Sequence, residues 1–183
     1  MAKQDDGIGA VDVQAVLAER RNRERRKKGW RKFLLCLAAI AGLTYLLFTY
    51  VIGVAIVQGN SMAPAMPRGS FILFVRIGVR YGAGDIAVAT ADGKTVIKRV
   101  VACEGDAVAF DINTGALMIN GQAETGGYER GKTLARGVDR LTVSSDHAYL
   151  LGDNREISTD SRDFGEVPLT SILGKVFFIA RGV

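Results

Sequence analysis

The sequence predicts a mostly β domain preceded by one N-terminal membrane-spanning helix, and two observations indicate this. Residues 33–57, FLLCLAAIAGLTYLLFTYVIGVAIV, form an uncharged apolar run. Beyond it, short segments rich in Val, Ile and Phe alternate with glycines, with turn residues at intervals of about 8–12 residues, a pattern typical of an all-β sandwich or barrel. We therefore expect three parts: an arm at residues 1–32, a helix at 33–56 and a β domain at 57–183.

The N-terminal arm predicts the orientation of the chain in a membrane. Residues 19–32, ERRNRERRKKGWRK, contain nine Lys or Arg and two Glu. From residue 33 onward, 14 basic and 14 acidic residues cancel, so the net charge of +5 does not indicate a nucleic-acid-binding surface. Positive charge next to a span keeps that end in the cytoplasm. We expect a cytoplasmic arm, with a short helix over residues 8–28, and an extracytoplasmic domain.

The apolar run has the length of a membrane anchor. Phe33–Gly53 alone would extend roughly 31 Å as a helix, the thickness of a bilayer core. A cleaved signal peptide is the competing interpretation, but its apolar region usually has only about 7–15 residues. The sequence favours an uncleaved anchor.

The β-rich part contains a series of candidate strands, and no long segment with helical periodicity interrupts them. A hairpin is expected at 113–122, with Asn-Thr-Gly at its turn and Asn-Gly closing it. The candidate strands cover residues 70–77, 85–90, 95–102, 107–112, 116–121, 139–143, 147–153 and 174–180.

Two features of the sequence do not indicate the functional sites that they resemble. Gly126–Thr133, GGYERGKT, matches a phosphate-binding loop, but that loop needs a strand before it and a helix after it. Here Gly137 follows within a few residues, so we predict a surface loop and no nucleotide. His147 is the only histidine, which disfavours a Ser-His-Asp triad or a histidine-rich metal site. We interpret it as a surface or strand-start residue and expect neither metal nor cofactor.

A serine directly after the apolar run raises the question of catalysis without histidine. Ser61 lies in GNSMAP, a turn-forming stretch, and a neutral lysine can serve a serine as base. An unperturbed lysine is neutral in only about one molecule in a thousand near pH 7.5, although burial lowers its pKa. Lys98, in TVIKRVVA, lies in the most apolar segment that contains a lysine. From the residues alone, a desolvated base and a lysine snorkelling from a strand edge both remain open.

Several segments together resemble the bacterial type I signal peptidases, the membrane-bound serine–lysine peptidases. They occur in the order found in that family and cover most of residues 57–178. The segments are GNSMAPAM (59–66), YGAGDIAV (81–88), VIKRVVACEGD (96–106), LLGDNREISTDSRDFGEV (150–167) and ILGKVFF (172–178).

The resemblance implies a compact β-rich peptidase domain with a Ser–Lys dyad. Ser61 would be the nucleophile and would lend its backbone N–H to the oxyanion. Lys98 would act as general base and then as general acid. The remaining roles implied are an orienting hydrogen bond from Ser158 to Lys98, an ion pair of Asp160 with Arg162, close backbone approach at Gly152, and substrate pockets lined by Val57, Val88 and Ile97.

Three features depart from the family pattern. Gly59 stands where some members have a serine that serves as a second oxyanion donor. The lysine segment continues as Ala102–Asp106 without the usual proline, and we interpret Cys103 there as a small core residue. The variable β insert at 104–143 is short, which suits a compact member.

The resemblance also implies a function, for which alternatives remain. It implies a membrane-anchored endopeptidase that removes N-terminal signal peptides from exported preproteins after small-x-small sites, with the lipid bilayer as its second partner. A dedicated peptidase of the same family, acting on surface or pilin-like proteins, would carry the same motifs. Self-cleaving repressors share Ser–Lys chemistry but are cytosolic and need a DNA-binding part. A non-catalytic, membrane-anchored binding domain is the alternative from another class.

Overall fold

The computed structural model describes residues 13–111, 113–124 and 140–181. The chain divides after Leu46 into a helical unit and a β-rich unit. Helix α1, Val13–Leu46, is followed by a π-helical turn, Leu47–Val51. Within the described ranges, Arg23–Val51 is the one helical stretch long and apolar enough to cross a membrane. The predicted β-rich domain behind one apolar helix is thereby confirmed.

The predicted helix end at residue 56 is wrong. Ile52–Ile56 form strand β1, which pairs antiparallel with β2, Phe71–Val75, so that Ile52 lies opposite Val75. Three of the five residues of β1 are Val or Ile, whose stiff branched side chains favour strands. Apolar character does not distinguish a buried strand from the continuation of an apolar helix. The first strand of the β-rich unit therefore begins at residue 52, before the expected boundary at residue 57.

The candidate strands of the sequence all correspond to observed strands, and three short strands were not predicted: β1, β7 and β10. Among the described residues of this domain are also two short helical segments: α2, Ser161–Phe164, and a 3-10 turn, Leu169–Ser171. The remaining strands are β3 Ile86–Ala91, β4 Lys94–Cys103, β5 Ala107–Phe110, β6 Leu117–Ile119, β7 Gln122–Ala123, β8 Arg140–Thr142, β9 His147–Leu151, β10 Val167–Pro168 and β11 Ile172–Ala180.

The strands form two antiparallel sheets. The large sheet has the order β1-β2-β11-β3-β4-β9-β10, and the small sheet has the order β7-β6-β5-β8. The expected hairpin at 113–122 is two successive hairpins, because Asn120 and Gly121 (φ 52° and 79°) form the β6–β7 turn instead of closing β5–β6. Positive φ at both positions is what a two-residue hairpin turn requires. The phosphate-loop match at 126–133 lies outside the described residues.

Three apolar clusters hold the domain together. One joins the small sheet to β4 and β9 around Phe110 and Tyr149, and another packs β3, β4 and β9 against Val167. The third lies beneath the loop that carries Ser61, and it fixes the position of that serine. Its buried members are Val57, Met62, Met66, Ile72, Phe74 and Val88.

Candidate active site

Ser61 lies in a compact loop between β1 and β2. Met62 and Met66, on either side of the turn, are 1% and 0% exposed, and the Met66 N–H donates to the Met62 carbonyl at 2.8 Å. The base of the loop is closed by the Val57 N–H, which donates to the Ser70 carbonyl at 2.9 Å. Burial of the two methionines therefore anchors the turn, while Ser61 itself stays half-buried at the surface.

Gly152 brings a second segment against this loop. A Cβ at Gly152 would clash with the Ser158 hydroxyl and with the Ser61 carbonyl oxygen. The same Ser61 carbonyl accepts a hydrogen bond from the Asn154 N–H at 2.9 Å. Only glycine leaves room for this approach.

Lys98 lies in the middle of β4 and is 4% exposed. Burial lowers the pKa of Lys98 from its ordinary value of 10.5 to about 8, and the nearby Asp160 carboxylate partly opposes this by favouring the charged form. Within the described ranges, no carboxylate forms an ion pair with Lys98. Of the two interpretations left open by the sequence, the geometry fits the desolvated lysine.

Ser61 and Lys98 share one cavity of about 380 Å³. One wall is the end of β1 and the loop that follows it, including Gly59, and the other is the first half of β4. The cavity thus combines a hydroxyl, a buried amine and apolar walls. Its lining comprises Ala55, Ile56, Val57, Gln58, Gly59, Ser61, Met62, Thr95, Val96, Ile97 and Lys98.

The predicted pocket residues divide into two groups. Val57 and Ile97 line the cavity on opposite walls. Val88 is 1% exposed and packs with Val57 in the apolar cluster under the serine loop, so it lies behind the cavity wall and not on it.

Asp160 and Arg162 form the ion pair that the resemblance implies. The two are buried, with Arg162 Nε 2.8 Å from Asp160 Oδ1 and a second contact of 2.9 Å to Oδ2. Asp160 also caps α2 and accepts from the Gly152 N–H at 3.1 Å. The pair therefore holds Gly152, and through it the approach of residues 152–158 to Ser61.

Ser158 is fully buried between these groups. Its N–H donates to the Asn154 carbonyl at 3.1 Å, and its hydroxyl lies against Gly152. The structure therefore brings Ser158 to the segment that contacts Ser61, but its hydroxyl does not form the hydrogen bond to Lys98 that the resemblance implies.

Sequence reasoning missed a second buried ion pair next to the site. Arg99 donates to both carboxylate oxygens of Asp153 at 2.8 and 2.7 Å, and to the Gly84 carbonyl at 2.7 Å. Arg99 immediately follows Lys98 on β4. A second cation within an apolar strand was the available signal, since a buried guanidinium requires a carboxylate partner.

The residues set aside by the sequence lie away from this cavity. His147 is half-exposed at the start of β9, with Nδ1 2.7 Å from the Ser145 carbonyl. Cys103 is partly buried at the end of β4, where burial raises the pKa of its thiol. Among the described residues, no group of three His, Cys, Asp or Glu is placed to hold a metal ion.

Comparisons with known proteins give a consistent result. The family model described as "Signal peptidase, peptidase S26" matches residues 29–180. A signal peptidase I from Bacillus caldolyticus is 30% identical, over 86% of this chain and 92% of that protein. The mitochondrial ATP-independent inner membrane protease subunit 1b of Arabidopsis thaliana is also 30% identical, over 86% and 83%. The crystal structure of a signal peptidase I from Enterococcus faecalis V583 aligns with a TM-score of 0.45 at 28% identity, covering 55% of this chain and 98% of that one.

Proposed function

The chain belongs to the type I signal peptidases of peptidase family S26, and from that premise we propose that it is a membrane-anchored endopeptidase in which Ser61 and Lys98 form the catalytic dyad. Its relatives are serine endopeptidases that remove signal peptides. In this chain we assign that reaction to Ser61 Oγ and Lys98 Nζ. We assign the membrane anchor to the N-terminal apolar helix, with the β domain outside the cytoplasm.

The observation that carries the proposal is a buried, unpaired lysine in the same cavity as a loop serine. With a pKa of about 8, roughly a quarter of Lys98 side chains are neutral at pH 7.5. An ordinary lysine would be neutral in only about one molecule in a thousand at that pH. Burial thus supplies a base without a histidine.

The reaction proceeds by acyl transfer. Neutral Lys98 Nζ removes the proton from Ser61 Oγ as the oxygen attacks the scissile carbonyl carbon. Lys98 then donates that proton to the departing amine of the mature chain as the C–N bond breaks. Lys98, neutral again, then removes a proton from a water molecule that attacks the ester carbonyl carbon. As the ester C–O bond breaks, Lys98 returns the proton to Ser61 Oγ and the signal peptide leaves as the acid.

The surrounding residues orient these groups. The Ser61 N–H stabilises the oxyanion, as oxyanion donors do in acyl transfer generally. In this proposal Ser158 orients Lys98 in the reacting state, and the Asp160–Arg162 pair holds Gly152 so that these segments stay in contact. Gly59 contributes no side-chain donor, so the backbone carries this stabilisation.

Substrate selection follows from the cavity and the anchor. Apolar walls from Val57 and Ile97 enclose a small volume, which suits the small residues that precede signal-peptide cleavage sites. The uncharged part of the helix Arg23–Val51, from Phe33 to Val51, serves as the span, with the basic arm in the cytoplasm and the β domain outside. Enzyme and preprotein then diffuse in the same membrane.

The test is cleavage of a model preprotein by the purified, detergent-solubilised full chain, with the cut position read by mass spectrometry. Ser61→Ala and Lys98→Ala are expected to reduce kcat by at least about 10³-fold, since each removes a member of the dyad. Lys94→Ala is the matched control, because Lys94 lies on the same strand but is exposed.

Two outcomes would contradict the proposal. Full activity of Lys98→Ala would exclude it as the base. Unchanged biological function with Ser61→Ala would indicate a binding domain, since a binding surface tolerates the loss of one hydroxyl. A panel of preproteins and surface proteins then separates general processing from a dedicated substrate set.

A further inference from the structure

A second cavity, of about 590 Å³, lies in the β-rich unit. Two exposed arginines, Arg76 and Arg80, contribute to its rim, and its floor includes the buried side chain of Ile172. None of its residues lines the cavity that contains Ser61 and Lys98. Its lining also includes Val79, Leu169 and Thr170.

The two cavities take different parts of the large sheet. The serine cavity takes the Ile56 end of β1 and the Lys98 part of β4, whereas the second takes the Cys103 end of β4. Lys98 and Cys103 are separated by about 16 Å along the strand. We name the second cavity the arginine groove.

The arginine groove lies next to the last residue of the candidate span. The Arg76 N–H donates to the Val51 carbonyl at 2.9 Å, and Val51 is the last residue of the candidate span. Ile77, between the two arginines, is 58% exposed. An exposed isoleucine flanked by cations, one hydrogen bond from the span, matches the chemistry of a membrane surface.

Neither arginine is neutralised within the described residues. No carboxylate lies within ion-pairing distance of Arg76 or Arg80, and the Arg76 guanidinium lies 4.9 Å above the Phe74 ring. The nearby Glu104 carboxylate instead accepts from the Ser145 hydroxyl and the Asp146 N–H, both at 3.2 Å. Two guanidinium groups above an apolar floor favour a ligand with an anionic head and an apolar body.

We propose that the arginine groove binds the phosphate of an anionic phospholipid in the leaflet facing the β domain. This inference rests on the membrane anchoring assigned under the proposed function. Arg76 and Arg80 contact the phosphate oxygens, Thr170 offers a hydroxyl to the headgroup, and the first carbons of the lipid lie against Val79, Leu169 and Ile172.

The test measures binding of dioctanoyl phosphatidylglycerol to the detergent-solubilised full chain by native mass spectrometry. The variant Arg76→Gln/Arg80→Gln is compared with Arg68→Gln/Arg140→Gln, which removes two exposed cations elsewhere in the domain. Both variants keep the basic arm intact, so its attraction for anionic lipid is common to them. We expect the first variant to bind about tenfold more weakly and the control to stay within about twofold of wild type.

Three further ligands identify the source of the anion: dioctanoyl phosphatidylcholine, inorganic phosphate and a hexaglutamate peptide. Preference for phosphatidylglycerol that depends on Arg76 and Arg80 supports the proposal. Equal binding of inorganic phosphate, or tighter binding of the acidic peptide, would overturn the lipid assignment, as would equal loss in both variants.

Cleavage of the model preprotein in detergent is measured on the same samples. Full cleavage by Arg76→Gln/Arg80→Gln shows that the variant is folded. Because lipid binding is read by mass, failure of the proposed peptidase function would appear as absent cleavage by wild type, independently of the groove result.

Discussion

Two consecutive cations of β4 lie on opposite faces of the large sheet, and the surrounding protein treats them differently. Arg99 is bound by both oxygens of Asp153 and by the Gly84 carbonyl. Lys98 is equally buried but has no such carboxylate among the residues the structure describes. Burial with a carboxylate partner keeps a cation charged, whereas burial without one lowers the pKa of an ammonium group so that it can act as a base.

The largest effect on stability is expected from removing the carboxylate partner of Arg99. Asp153→Leu leaves a buried guanidinium without its carboxylate and is expected to lower the free energy of unfolding by about 3–5 kcal/mol. Urea unfolding of the detergent-solubilised chain measures this. Arg99→Met/Asp153→Leu is the matched variant, and it should recover most of the loss, because removing both charges leaves no uncompensated ion. Equal destabilisation by both variants would contradict this account.

The opposite result is expected on the Lys98 side. Because burial disfavours the charged amine, Lys98→Met should raise stability at pH 7 by up to roughly 3 kcal/mol, the linkage equivalent of a pKa lowered from 10.5 to about 8. The wild type binds fewer protons folded than unfolded between these two values, so its stability rises with pH there and the gain from Lys98→Met disappears. Urea unfolding from pH 7 to 10.5 tests this, with Lys94→Met as control. A gain that persists at pH 10.5 would contradict it.

The pH dependence of cleavage tests whether the buried Lys98 is the base. The base must be neutral, so kcat/KM should fall about tenfold per pH unit below a midpoint near 8 and level off above it. Initial rates at low substrate concentration measure this limb. His147→Ala should leave it in place, because that histidine lies outside the serine cavity. If the midpoint of the pH profile shifted in His147→Ala, Lys98 would be excluded as the titrating base.

The smallest effect concerns a charge that acts on Lys98 from a distance. The Asp163 carboxylate raises the pKa of Lys98, so Asp163→Asn should shift the acid limb to lower pH by a few tenths of a unit. Asparagine keeps an oxygen to accept from the Asp160 N–H, which lies 3.0 Å away. Asp92→Asn is the control, since Asp92 is exposed in the β3–β4 turn and asparagine tolerates its φ of 47°. A shift to higher pH would contradict the assigned sign.

The sequence predicted what depends on local pattern. The strand that carries Lys98 and the turn that carries Ser61 were found because apolar periodicity and turn residues are local signals, and the resemblance supplied the partners. Strand β1 was missed because its branched apolar residues continue the composition of the span without a break. The two-residue strands β7 and β10 are too short to show alternation.

Long-range pairing was beyond the sequence alone. Arg99 and Asp153 are 54 residues apart and meet only because β4 and β9 are neighbours in the large sheet. The position of Val88 behind Val57, instead of on the cavity wall, depends on the face of β3 that meets the serine loop. Neither residue type nor spacing determines that face.

Because strand β1 follows the span directly, the distance between the end of the span and Ser61 is limited. Ser61 follows Val51 by ten residues, and the first five of these are a strand paired with β2 instead of a free linker. Ten residues reach at most about 35 Å even when fully extended. Under the proposed function, Ser61 can therefore act only on peptide bonds that lie within this distance of the end of the span, whatever side chains flank them. The position of the cleavage site is then limited by its distance from the bilayer as well as by the side chains around it.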